Sequence, residues 1–358
     1  MMENSSVLPS NASEALWPTY SPPSAIHQAF WITALIIFCL AFVLGITGNG
    51  LVIWVAGFRM ARTVTTVLFL NLASADFAFT AFLPFIIINA ALQPRWPFGW
   101  FPCKLISSMA VFNMFASVFL LTFISLDRCV SVLWPVWARN HRTPCRAALG
   151  AAGAWTFALA FSVPTFIFRN TDTLDEVTVC FPDFDPWNET GDDDEYYDAL
   201  TEKRQWSLVL SHFILGFVIP FLIISVCYGL ITVRLWSRTK TIKSSRPFKI
   251  LTAVVSAFFL CWLPHHVVGI IEASTYRHAH LADVLPYLSP FSSSLAFVNS
   301  CLNPLLYVFI GRDFRERLFR SLPAALERAL SEESAPTATT ANSSTSVPSA
   351  PDAETQGL

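Results

Sequence analysis

Residues 31–57, WITALIIFCLAFVLGITGNGLVIWVAG, run without one charged side chain. A bilayer core about 30 Å thick is crossed by about 20 apolar residues in helical form, so this stretch reads as a membrane span. Six more of similar character follow, at 64–92, 104–133, 148–168, 206–233, 249–272 and 285–310. Pro84, Pro164, Pro220, Pro264 and Pro304 fall inside them. In water each would break a helix, whereas in a packed membrane bundle neighbouring helices satisfy the freed carbonyl. The expected fold is an all-α membrane protein, a seven-transmembrane helix bundle.

Composition agrees. Of 358 residues 54% are hydrophobic and 13% charged, against about a quarter charged in soluble domains. A soluble globule would have to expose the excess as large apolar patches, and a disordered chain needs the opposite balance. The 32 Phe and 12 Trp suit lipid-facing and interfacial positions.

The basic residues set an expected topology. With the N-terminus outside, Arg59, Arg62, Arg128, Arg139, Arg142 and Arg146 fall on the inner side. So do the runs Arg234 to Lys249 and Arg312 to Arg328, which puts 17 of 23 basic residues inside. Arg95, Lys104, Arg169, Lys203, Arg204 and Arg277 fall outside. This positive-inside bias puts the C-terminus in the cytoplasm, and the plasma membrane is the expected location. Membrane lipids are the expected surroundings, and nucleic acid is not an expected partner. Residues 1–30 read as an extracellular segment without a basic start, so span one serves as its own insertion signal. Residues 31–310 form the bundle. Residues 311–358 read as a cytoplasmic amphipathic helix and a Ser/Thr-rich disordered tail, open to phosphorylation.

Twelve of 25 acids lie between Asp172 and Glu202, peaking at Asp192-Asp193-Asp194-Glu195 beside Tyr196 and Tyr197. This is either a solvated acidic loop or a site of tyrosine sulfation that steers cationic peptides. Asn4, Asn11 and Asn188 head outer glycosylation sequons. Of eight cysteines only Cys103 and Cys180 share the oxidising side, where a disulfide would pin the long outer loop over the bundle mouth. No metal-ligand spacing, phosphate loop or triad arrangement is visible, so an enzyme is not expected.

Polar groups at bilayer depth are functional hypotheses by default. Asp76 sits mid-span, with Asn113, Ser117, Asn299 and Asn303 at comparable depth. They are either interhelical hydrogen-bonding groups or the oxygen lining of a hydrated cation site. Asp127-Arg128 at the inner end of span three is either interfacial snorkelling or a switchable ion pair. Phe258 and Trp262 are i, i+4 with Pro264 beyond, and Asn303-Pro304 precedes Tyr307. Bulky aromatics at proline breaks suit a two-state bundle.

Several motifs carry a resemblance. They are Gly48-Asn49, Leu72-Ala73-Ser74-Ala75-Asp76, Asp127-Arg128-Cys129, Trp155, Pro220 with Tyr228, Cys261-Trp262-Leu263-Pro264 and Asn303-Pro304-Leu305-Leu306-Tyr307. In this order they resemble the rhodopsin-like G-protein-coupled receptors across nearly the whole chain. That likeness implies a sodium pocket at Asp76, Asn113, Ser117, Asn299 and Asn303 as an allosteric ion site. It implies that Arg128 engages a heterotrimeric G protein when span six swings out, and that Trp262 relays pocket occupancy. Cys129 stands where the family usually has Tyr, a position at which the chemoattractant branch often carries Cys.

Asn49 to Met60, Trp96-Pro97-Phe98-Gly99-Trp100 and Ser244-Ser245-Arg246-Pro247 look like the formyl peptide receptors of the chemoattractant branch. That branch implies an inhibitory-type G protein, desensitisation by a receptor kinase and arrestin, and roles in leukocyte chemotaxis, inflammation or its resolution. Where those receptors carry an Asp and two Arg for ligand, this chain has Val111, Leu208 and His212. Met60 to Val64, Phe115-Ala116-Ser117 and His212-Phe213 instead look like the neighbouring D-series resolvin receptor, whose ligands are hydroxylated fatty acids.

The expected ligand pocket is lined by Val111, Met114, Phe115, Leu208, His212, His265, His266 and Phe291, apolar with a few polar points. Its ligand is a lipid mediator or a peptide. A carboxylate would find His212, His265, Lys104, Arg204 or Arg277. A decoy that binds without G-protein signalling stays open as an alternative, as does a membrane transporter, although inverted repeats are not visible.

Overall fold

The computed structural model describes residues 25–92, 95–174, 176–239, 246–275, 277–310, 316, 318 and 319. Among them seven helices are long and apolar enough to cross a membrane. Spans one to four are Ala25–Phe58, Val64–Leu92, Trp100–Leu133 and Pro144–Ile167. Spans six and seven are Arg246–Ser274 and Leu285–Ile310. Span five is two α-helices, Asp194–Phe213 and Ile219–Thr239, joined through a π turn at Ile214–Val218. All belong to one compact unit; of a second, Leu318–Leu358, the described residues Leu318 and Phe319 are helical. The expected tail from 311, the sequons at Asn4 and Asn11, and the side chain of Tyr307 lie outside the described residues.

Spans two and seven have the bounds that hydropathy predicts; the others run longer. Helix need not stop where the hydrocarbon stops, because caps at the interface carry it further. Residues 25–30, expected in the extracellular segment, are the first turns of span one. Span five starts twelve residues before the predicted 206, because Asp193 accepts a hydrogen bond from the Tyr196 N–H at 2.9 Å. Asp194 and Glu195 then occupy its first turn, where the helix dipole favours acids. The acidic run read as a loop is thus a helix start. Thr143 caps span four in the same way, with Pro144 at the first helical position.

The expected helical bundle also carries one short antiparallel hairpin, between spans four and five. Strand β1, Arg169–Leu174, pairs with β2, Val177–Pro182, with Arg169 opposite Pro182 and Thr171 opposite Cys180. The Cys103–Cys180 disulfide ties β2 to the first turn of span three. Trp96 adds a second tie through its N–H to the Thr178 carbonyl at 2.7 Å. The hairpin is thereby held against the span-three end that carries Cys103.

The core runs down the bundle axis through Leu72, Phe79 and Leu83 of span two, Phe115, Leu120 and Leu121 of span three, and Phe258 of span six. Large apolar side chains such as Ile32, Ile36, Leu40, Leu159, Leu222 and Val226 point outward and are exposed. Such a belt is costly in water and matched to lipid. Small residues bring spans three and four together: Ala147, Ala151, Ala154 and Ala158 form a buried stripe. Gly150 belongs to the same contact, where a Cβ would come within 2.4 Å of the Phe123 ring. Trp155 fastens spans four and two by donating to Asn71 Oδ1 at 2.9 Å.

Candidate functional site

A cavity of about 470 Å³ opens among spans two to seven beneath the hairpin. That size and its apolar wall are usual for a small-ligand site. Val111, Met114, Leu208, His212, His265 and His266 all line it, as the sequence predicts. The other two predicted members do not. Phe115 is fully buried one position past Met114 and packs on Phe161 at 5.3 Å and His212 at 5.5 Å. Phe291 is half-exposed and outside the lining, which span seven supplies through Ser293, Ala296 and Phe297. Successive residues on a helix differ by about 100° in direction, so a one-position slip moves a side chain off the cavity.

The floor is aromatic. Trp262 stands edge-on to His265 at 5.4 Å and leads down to Phe258 at 6.0 Å, which meets Phe259 at 5.4 Å. A chain of packed rings therefore runs from the cavity into the core. Trp262 Nε1, His212 Nε2 and His266 Nε2 are buried without a hydrogen-bond partner among the described residues. Unpaired polar atoms of this kind cost free energy, which a ligand or water at the cavity wall would recover. Gly216 in the π turn lets span five close on this floor, since a Cβ there would meet Met114 Cε at 3.0 Å.

The three cations expected to receive a ligand carboxylate are engaged elsewhere. Lys104 donates to the Phe166 and Ile167 carbonyls and lies over the Trp100 ring. Arg204 donates to the Phe184 carbonyl at 2.8 Å and to both Glu189 oxygens, and its charge lies 3.7 Å from Asp185. Arg277 pairs with Glu202 at 2.6 Å. Burial pushes the Asp185 carboxyl up, but hydrogen bonds from the N–H groups of Glu189 and Thr190, the Thr190 hydroxyl and the Arg204 charge outweigh it, holding Asp185 below the usual carboxylate range. Asn188 is exposed, while its sequon hydroxyl, Thr190, is folded onto Asp185. Tyr196 and Tyr197 are exposed near the start of span five.

Two charged residues that sequence reading did not single out face the cavity instead: Arg169 at the start of β1 and Glu272 near the end of span six. The signal was available for Glu272, an ionisable group within an apolar span, as it was for Asp76. Arg169 gives no such signal in the sequence, where it is one outer basic residue among six.

Deeper in the bundle Asp76, Asn113, Ser117 and Asn303 converge, while Asn299 is buried with no hydrogen bond to them among the described residues. Asn303 Nδ2 donates to Asp76 Oδ2 at 2.7 Å, and Ser117 Oγ lies 3.5 Å from Asp76 Oδ1. Asn113 donates to Ser300 Oγ at 2.9 Å, and Asn49 to the Ser300 carbonyl at 2.8 Å. All are buried, and Asn113 Oδ1 together with both ends of the Asn299 amide lack partners among the described residues. A buried carboxylate beside unpaired neutral oxygens fits a hard cation such as sodium. Asp76, Ser117, Asn113, Asn299 and Asn303 would hold it.

At the opposite end from the hairpin, Asp127 and Arg128 do not form the ion pair their adjacency suggests. Neighbours in a helix diverge by about 100°, so each finds a partner elsewhere. Arg142 donates to both Asp127 oxygens, at 2.5 and 2.8 Å, from just beyond the short helix Pro135–His141. Arg128 donates to Thr65 Oγ1 of span two and feels the Tyr228 oxygen of span five. Pro264 lies inside span six two residues past Trp262.

Comparison with known proteins accords with this arrangement. Residues 48–307 match the family model described as 7 transmembrane receptor (rhodopsin family). The chain is 49% identical to human "N-formyl peptide receptor 2" and 47% identical to mouse "Formyl peptide receptor 2", each over 91% of this chain and 93% of the relative. It is 46% identical to human "N-formyl peptide receptor 3" over 97% of this chain and 98% of the relative.

Proposed function

The chain belongs to the rhodopsin-like G-protein-coupled receptors, within the formyl peptide receptor group, and from that premise we propose a specific signalling role. As a member of that family it is a seven-span membrane receptor and not an enzyme, with a ligand and a G protein as partners. The proposed role is that of a plasma-membrane chemoattractant-type receptor, N-terminus outside, that takes a lipid mediator or peptide into the cavity beneath the hairpin. It activates an inhibitory-type G protein at the Arg128 end and acts in leukocyte migration and inflammation or its resolution. Phosphorylation of the Ser/Thr-rich tail by a receptor kinase recruits arrestin and ends the signal.

One observation carries this reading: the cavity floor is Trp262, and the rings below it reach Phe258 in the core. A ligand that moves Trp262 must repack the aromatic chain, because dense cores respond by discrete rearrangement rather than smooth deformation. Span six, carrying both rings and Pro264, is the element that repacking displaces. Arg128, held by Thr65 in this arrangement, is then freed for the G protein. A sodium ion at Asp76 would favour the conformer in which these oxygens converge. Sulfate on Tyr196 or Tyr197 and glycan on Asn188 would decorate the hairpin end.

A decoy is the second reading, and Cys129 motivates it. Its thiol packs with Cys227 and Ile231 at the position next to Arg128, where the family usually has Tyr. The deciding experiment measures nucleotide exchange on an inhibitory-type G protein in cells given formyl peptides, cationic amphipathic peptides or hydroxylated fatty acids. Exchange driven by any of them supports the signalling receptor. Arrestin recruitment without exchange supports the decoy.

A further inference from the structure

Arg169 and Glu272 are the two full charges among the cavity-lining residues, leaving the histidines aside. They come from separate elements, β1 and span six, and attract one another. Yet among the described residues no ion-pair contact joins them, and neither side chain has a hydrogen-bond partner. Burial disfavours the charged form of Arg169 and Glu272 offsets this in part, but a guanidinium keeps its charge in proteins. A planar fork of donors and a carboxylate therefore both line the cavity, neither held by a hydrogen bond among the described residues.

This pair restricts what can occupy the cavity. A purely anionic ligand, such as a fatty acid, would satisfy Arg169 and leave Glu272 unpaired under the same occupant. A purely cationic ligand would do the reverse. Glu272 is exposed and Arg169 half-buried, so the cost arises on binding: an occupant that covers both strips water from each, and a charge it leaves unpaired then costs more than the contact with the other returns. The acids at Asp192 to Glu195, at the same end of the bundle, also work against an anion and in favour of a cationic group. Val111, Met114 and Leu208 supply apolar wall to the same cavity.

We infer that the cavity binds a zwitterionic peptide, its free C-terminal carboxylate forked on Arg169, a cationic side chain on Glu272, and an apolar side chain towards Met114 and Trp262. This rests on the receptor reading above and names the ligand class for the same cavity. Arg169 and Glu272 act as specificity determinants. Bidentate guanidinium–carboxylate pairing adds orientation as well as affinity, so the peptide enters by its C-terminus.

The test uses the full-length receptor and a panel of short peptides with a lysine and an apolar C-terminal residue. Each peptide is made as free acid and as C-terminal amide, alongside hydroxylated fatty acids. Two readouts are taken: thermal stabilisation of purified receptor, and nucleotide exchange on the G protein. Free acids are expected to bind on the order of 10- to 100-fold better than their amides. Arg169→Gln should erase that difference, and Arg169→Lys should keep part of it, guarding against a variant that merely misfolds. Glu272→Gln should weaken lysine-bearing peptides and leave norleucine-substituted ones unchanged. Equal binding of acid and amide by the unmodified receptor overturns the proposal, as does an acid–amide difference that survives Arg169→Gln. Fatty acids that bind while every peptide fails also overturn it. Free acids that stabilise the receptor without any nucleotide exchange leave the binding site standing and remove the signalling reading instead.

Discussion

Arg142 closes on Asp127 with two parallel hydrogen bonds, Nε to Oδ1 at 2.5 Å and Nη2 to Oδ2 at 2.8 Å, so the acid beside Arg128 is neutralised from the connection between spans three and four. The pair is bidentate, with the Asp127 side chain nearly buried and Arg142 about a quarter exposed. Arg142→Met should cost about 1–2 kcal/mol, less than a fully buried pair because solvent screens Arg142. A drop of a few degrees in the unfolding midpoint of purified receptor checks this; an unchanged midpoint counts against it.

Arg128 is occupied by Thr65, a hydroxyl on span two. Removing that acceptor with Thr65→Val should leave Arg128 easier to release and raise basal nucleotide exchange several-fold without ligand. Basal exchange equal to or below that of the unmodified receptor, at matched surface expression, would show that the contact does not restrain Arg128.

Asp76→Asn removes the carboxylate from the buried oxygen cluster while keeping its shape. Agonist affinity measured with sodium and with a large inert cation should then no longer differ. A sodium effect that persists in the variant assigns those residues to interhelical hydrogen bonding alone.

Asp185 carries the pH dependence of the segment between β2 and span five. Its carboxyl is held below the ordinary 3.8, so the unfolded segment binds the proton more readily than the folded one. The stabilisation is therefore present above about pH 4 and is lost as pH falls through the depressed folded value. Protection of the Glu189 and Thr190 amides, the exchange rate relative to the intrinsic rate at each pH, should stay high at pH 5 and fall only below that range. Asp185→Asn should make both amides exchange faster at neutral pH.

Gly150 sits against the Phe123 ring at a distance no Cβ tolerates. Gly150→Leu should overpack spans three and four at a cost of about 1–3 kcal/mol, and Phe123→Ala in the same background should recover part of it. Unfolding midpoints of the two singles and the double measure the coupling; additive effects would place the strain elsewhere.

The spans were legible because a length of about 20 apolar residues is a property of the chain alone. Asp76 and Asn303 were legible because an ionisable or amide group in such a stretch has few tolerable explanations. The Cys103–Cys180 tie followed from which thiols share one side. The hairpin was not, since Arg-Asn-Thr-Asp-Thr-Leu has no apolar alternation and is held as a strand by the disulfide and its partner. Nor was the convergence of Arg169 and Glu272 on one cavity, 103 positions apart in sequence, because only tertiary packing brings both to its wall. Phe115 and Phe291 show the limit of face assignment: without neighbours to compare, a helix wheel cannot separate a cavity wall from the ring packed beside it.

The π turn at Ile214–Val218 settles a question of phase in span five. His212, at the cavity, and Ile224, buried against the bundle, are twelve residues apart. At about 100° per residue an unbroken α-helix would point them about 120° apart, so one of the two would face lipid. The wider turn absorbs the surplus residue, with the Ile219 N–H reaching back to the Ile214 carbonyl just before Pro220, which has no N–H to offer. Both halves can then present their inward residues together. Deleting one residue from this turn would leave His212 and Ile224 eleven apart, about 20° in an unbroken α-helix, so both would still face inward. Keeping the residue while forcing the turn into α geometry is what would hand one half of span five from ligand to lipid.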